Sequence, residues 1–148
     1  MSFQERRAIV SLISTILITG VYAAYMAQRY PASGDYSIEV FRFWGAFFLI
    51  LIPVMIVARI IIHIVFSIIN TLATHENEPD IADERDKLIE LKATRNALYV
   101  FSVGVILAMG SLVIDLPPAA MFIFLLGAGI ASELVSEVSQ FYFYRRGF

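Results

Sequence analysis

Four apolar runs separated by three polar stretches set the reading of this chain. The first, Ala8 to Ala27, is twenty residues long and at helical rise spans roughly 30 Å, the thickness of a bilayer's hydrocarbon core. Its hydroxyls Ser11, Thr15 and Thr19 recur every four residues and read as a packing face, because small hydroxyl residues let helices approach and hydrogen-bond across the contact. The stretch from Gln28 to Glu39 holds Pro31, Ser33, Gly34 and Asp35, a polar connection of the kind that joins antiparallel helices. The second run, Val40 to about Leu72, would approach roughly 50 Å, more than a bilayer core requires, so it must tilt, kink or project. Pro53 lies in its middle and removes one backbone donor. Beyond Ala58 the polar residues Arg59, His63, Ser67, Asn70 and Thr74 follow at spacings of four, four, three and four, which makes one helical face polar while isoleucines keep the others apolar.

The stretch His75–Arg95 carries seven of the thirteen acidic residues and four of the eleven Lys and Arg, so it must stay in water. Pro79 reads as a break and Asp80 as the N-cap of a helix starting near Ile81 that runs into the third apolar run, Ala97 to Ile114. Asp83 and Glu84 each pair with Lys87 at helical spacing, and Leu88, Leu91 and Leu98 share a stripe suited to the membrane surface or to the end of the second helix. Asp115, Leu116, Pro117 and Pro118 form a tight connection, since neither proline continues a helix interior. The fourth run, Ala119 to Gln140, is interrupted by Ser132, Glu133, Ser136 and Glu137 and ends in aromatics followed by Arg145 and Arg146, an interfacial belt and anchor. Gly104 with Ala108, and Gly127 with Ala131, suggest close crossings of helices three and four. The predicted fold is an all-α membrane protein, a single domain over residues 1–148 with four transmembrane helices at 8–27, 40–66, 97–114 and 119–140 in an up-down antiparallel bundle, and a charged cytoplasmic connector and helix at 73–96.

Composition strengthens this picture: 59% hydrophobic residues, 16% charged and a mean hydropathy of +0.75 lie outside the soluble range. A net charge of -2 without a basic patch gives no reason to expect nucleic acid. Zero cysteines exclude disulfides, thiolate nucleophiles and Cys-ligated metals. Arg6 and Arg7 ahead of an apolar run resemble a secretory or twin-arginine leader, but that run exceeds a signal h-region and lacks a small-x-small cleavage site before Gln28, so a first transmembrane helix is the reading adopted. With four spans, Arg6, Arg7, Arg85, Lys87, Lys92, Arg95, Arg145 and Arg146 share one side, against Arg29 and Arg42 on the other. The positive-inside rule then places both termini and the charged connector in the cytoplasm.

Counting inward gives a candidate site. Arg59 lies seventeen residues beyond Arg42, and Glu133 and Glu137 lie fifteen and nineteen beyond Pro118, so all three should reach a similar depth. Arg95 and Tyr99 share a stripe of the third helix that enters from the same side. The expected intramembrane polar cluster is therefore Arg59, His63, Arg95, Tyr99, Glu133 and Glu137, with two arginines facing two glutamates. One reading makes it an ion-paired device that fixes packing; the other makes it a cytoplasm-facing cavity in which Glu133, Glu137 and His63 take protons or a small cation. Asp83, Glu84, Arg85, Asp86 and Lys87 form a possible partner surface.

No catalytic set emerges. His75 and Glu76 begin a zinc-protease motif that fails at Pro79, and the two histidines, twelve residues apart, stand about 18 Å from each other on one helix, too far to clamp a haem. The acidic stretch lacks EF-hand spacing and is explained by the start of a solvated helix. Neither metal nor cofactor is expected.

The run DERDKLIELKATR, Asp83 to Arg95, leading into Asn96–Gly104, resembles a group of small prokaryotic integral membrane proteins that carry a DERD-like signature and a Lys-Ala-x-Arg element immediately before an apolar span. About twenty residues carry the resemblance, which implies a multi-span protein of the inner (plasma) membrane of a prokaryotic cell, of unassigned activity, and supplies no catalytic residue. The expected function is an interaction, structural or regulatory membrane component that self-associates or meets a membrane or cytoplasmic partner; the alternative is a proton, small-ion or solute transport component.

Overall fold

The structure, a computed structural model, describes residues 3–74 and 84–146, which form helices α1 (Phe3–Ala27), α2 (Ile38–Thr74), α3 (Glu84–Val113) and α4 (Pro118–Arg146) and, among the described residues, no strand. Each helix is long and apolar enough to cross a membrane. The expected break at Pro79, the cap at Asp80, the start near Ile81 and Asp83 lie outside the described residues. From Glu84 onward α3 is one element to Val113, since no proline interrupts it and its first glycine is Gly104.

Local chemistry sets the helix ends. Ser37 caps α2: its Oγ stands 3.4 Å from the Val40 N–H, and Glu39 places an acid in the first turn. The end of α3 is a Schellman cap, with Asp115 in the left-handed region (φ 58°), the Leu116 N–H donating to the Ser111 carbonyl at 3.0 Å and the Asp115 N–H to Leu112 at 3.4 Å. Pro118 then opens α4, where a missing N–H leaves no bond unmade.

The helices pack as a row, α2–α1–α4–α3. α1 packs on α2 and α4, and α4 packs on α3, whereas α2 meets α4 over a short stretch and has no packing contact with α3 among the described residues. The α3–α4 contact is the most extensive. It buries Ile89, Ala93, Ala108 and Ser111 of α3, and a methyl group placed on Gly104 would overlap the Ala128 side chain and stand 3.1 Å from the Ala128 Cα. The small-residue pair on α3 thus makes the expected close crossing. On α4 the residue that receives it is Ala128, while Gly127 is exposed with open space around it. Leu88, Leu91 and Leu98 stay exposed, so the stripe does not rest on α2; Ile89 and Ala93 are the residues this part of α3 buries.

Near the α1–α2 connection, Met26, Val40, Trp44 and Phe47 form a buried core. The Trp44 ring stacks on Phe122 of α4 at 5.5 Å and 11°, and the Tyr22 hydroxyl donates to the Phe47 carbonyl at 2.9 Å. Aromatic pairs of this sort add about 0.5–1.5 kcal/mol each beyond their buried area. The Trp44 N–H has no acceptor among the described residues. Aromatics therefore tie α2 to α1 and α4 at this end. A polar contact ties them again near Arg59.

Candidate functional site

The row of α1 hydroxyls is buried throughout, and each member meets a group from another helix. The Ser11 hydroxyl donates to Glu137 Oε1 of α4 at 2.6 Å, the Arg59 guanidinium of α2 donates to Thr15 Oγ1 at 3.3 Å, and Thr19 Oγ1 lies 3.7 Å from the Met55 sulfur. The face expected to serve packing thus supplies the hydrogen-bonding partners of two charged side chains. Arg59 also forms a salt bridge to Glu133, through Nη2 and Oε1. Both side chains of that bridge are about a third exposed, whereas Glu137 is buried. Charges placed among apolar helices are costly unless they meet an opposite charge or a hydrogen-bonding group, and this arrangement gives each such a partner.

Two recesses meet at this cluster. An apolar groove of about 620 Å³ lies between α1, α2 and α4 and is touched by Phe101 of α3; its polar lining is Thr15, Thr19, Arg59 and Glu133. A polar chamber of about 290 Å³ is lined by Arg7, Ser11, Arg59, His63, Asp86, Glu90, Glu137, Gln140 and Tyr144. Arg59 lines both, so chamber and groove adjoin at this residue. Tyr144, near the end of α4, and Asp86, near the start of α3, line this chamber together.

Of the six residues expected in the cluster, Arg59, His63, Glu133 and Glu137 line the recesses. Arg95 and Tyr99 line neither, and both are exposed. The correction has a rotational cause. α3 turns Ala93 and Ala108 toward α4, and Arg95, two residues past Ala93, points about 200° away at helical pitch. The second arginine at the site is Arg7. In the expected partner surface Glu84, Arg85 and Lys87 are exposed, Asp86 turns into the chamber, and Asp83 is outside the described residues.

The reading from sequence missed Arg7, Ser11, Thr15, Asp86, Glu90, Gln140 and Tyr144 as site residues. A signal was present: Glu133, Glu137, Gln140 and Tyr144 follow at spacings of four, three and four, and Arg7, Ser11, Thr15 and Thr19 at four each, one face on each helix. Among the described residues no three His, Asp or Glu side chains are placed to hold a metal ion. What the arrangement offers is a charged, hydrogen-bonding chamber beside an apolar groove. No protein family, curated protein or solved structure matches this chain.

Proposed function

We propose that this protein is a multi-pass component of a prokaryotic plasma membrane that acts by binding, as an interaction or regulatory element, and carries out no covalent chemistry. The observation behind this reading is that the 290 Å³ chamber and the 620 Å³ groove, two recesses of ligand-binding size, share Arg59, whose charge Glu133 holds. The four spans run up-down with both termini and the charged connector in the cytoplasm. In support, Tyr22 sits beside Phe47 while Thr15 sits beside Arg59, as oppositely directed α1 and α2 require, and Asn96 bonds Ser139 while Gly104 meets Ala128, the same for α3 and α4. The Lys and Arg excess of the termini and connector sets the orientation. Glu84, Arg85 and Lys87 present a charged, exposed face to a cytoplasmic partner or a second copy.

The transport reading has one observation in its favour, the presence of His63 and buried Glu137 in the same chamber. Proteoliposomes separate the two. The binding reading expects proton and alkali-cation flux no greater than in protein-free vesicles; flux that Glu137→Gln abolishes would replace it with transport. Because the chain has no cysteine, Lys87→Cys and Tyr36→Cys give clean single labels. An impermeant maleimide should reach position 36 from outside intact spheroplasts and position 87 only after lysis.

A further inference from the structure

Resting on that binding reading, we infer that the chamber and groove together take a single-chain cationic amphiphile, an ammonium head on an unbranched apolar tail. The charge of the lining selects the head. Asp86, Glu90, Glu133 and Glu137 contribute four carboxylates against the guanidiniums of Arg7 and Arg59, an acidic excess of two. The salt bridge holds Glu133 on Arg59, which leaves Asp86, Glu90 and Glu137 as the chamber carboxylates that can accept from a cation, and of these Glu137 is the buried one. Glu137 is buried at 8% exposure and takes one hydrogen bond from Ser11 through Oε1. A carboxylate has about four acceptor positions, so an ammonium can bond it beside that hydroxyl.

The groove selects the tail. It runs along α2 from Arg59 to Phe48, eleven residues or roughly 16 Å at helical rise, the extended length of about twelve carbons. The order of the parts matches an amphiphile: acids and hydroxyls in the chamber, Arg59 at the junction, then apolar side chains only, apart from Thr15, Thr19 and Glu133. A zwitterionic phospholipid head, whose phosphate offsets its ammonium, gains less from the acidic excess than a cation does. A fatty acid is repelled by it.

The test is isothermal titration of dodecylammonium, dodecanol and dodecanoate into the full-length protein in phosphatidylcholine nanodiscs, with empty nanodiscs subtracted. Dodecylammonium should saturate one site and bind at least about tenfold tighter than the other two, the ratio expected of one charge-assisted hydrogen bond. Glu137→Gln should bring dodecylammonium binding down toward that of dodecanol. Glu90→Gln, at an exposed position that tolerates substitution, should reduce it as well and serves if the buried variant fails to fold. Gly129→Leu should weaken all three ligands, because Gly129 lines the groove and has open space at its Cβ position, so the new side chain occupies the tail's path. Equal binding of the three ligands, an unchanged preference in both Gln variants, or displacement of the amine by phosphatidylethanolamine would overturn the proposal. The flux assay is independent of it: absent amine selectivity without flux defeats this inference alone, and amine selectivity together with flux defeats the binding-only reading alone.

Discussion

Replacing Arg59 by methionine keeps an unbranched apolar stem and removes the guanidinium, which leaves Glu133 without its cation and Thr15 without its donor. Removing one partner from a fully buried pair costs about 3–5 kcal/mol, because the other charge is stranded. Here the two side chains are 35% and 31% exposed, so solvent or headgroup screening lowers the figure to about 2 kcal/mol. Glu133→Gln is milder, at about 1 kcal/mol, since the amide oxygen still accepts from Arg59 and the arginine stem can carry its charge outward. If the bridge is a tie between α2 and α4, the double variant strands no charge and falls short of the additive loss by about 1–2 kcal/mol. The chain reports on this itself. Trp44 is its one tryptophan, buried against Phe122 and fifteen residues from Arg59 along α2, so its fluorescence follows unfolding without touching the mutated site. Titration of the four proteins with sodium dodecyl sulfate in mixed micelles gives the cycle. A double variant whose loss equals the sum of the single losses would refute the claim that the two residues act as a pair.

Gly104→Ala should lower stability in the same titration by about 1–3 kcal/mol, because its methyl group overlaps Ala128 across the α3–α4 contact; adding Ala128→Gly should recover most of that loss, and a single variant as stable as the parent would show the crossing to be looser. Asp115→Gly should be neutral or slightly stabilising and Asp115→Val should cost about 1–2 kcal/mol, since the left-handed cap at φ 58° suits glycine and penalises a β-branched residue.

The long runs of apolar residues made the four helices legible, because span length is a property of consecutive residues and needs no neighbour. The meeting of Arg59 with Glu133 was legible for a related reason: counting residues from the turns gives depth, and the two charges lie at one depth. Depth leaves rotation undetermined, and there the reading of α3 failed. Arg95 has the right level and the wrong face. The order of packing within the expected bundle, a row in which α2 does not reach α3 among the described residues, was not legible either. The second half of α2 carries isoleucines on several sides and stays largely exposed, while the small residues of α3 and Ser11 of α1 hold those two helices on α4.

The missing rotation was nonetheless encoded beside the residues that were misplaced. Gly104 and Ala108 had been identified from sequence as the contact face of α3, and at about 100° per residue the rest of the helix follows from them. Arg95, nine residues before Gly104, comes out half a turn away, and Tyr99 comes out about 140° away. Ala93 falls within about 20° of Gly104, Asp86 coincides with it and Glu90 is within about 40°. The two acids that α3 sends into the chamber are thus the ones its glycine face predicts, and the arginine it was expected to send is the one that face excludes. A small residue at a helix crossing fixes more than a distance. It sets the angle of every polar residue on the same helix, and in this chain it decides which charges of the stretch between two apolar halves belong to the site and which face outward.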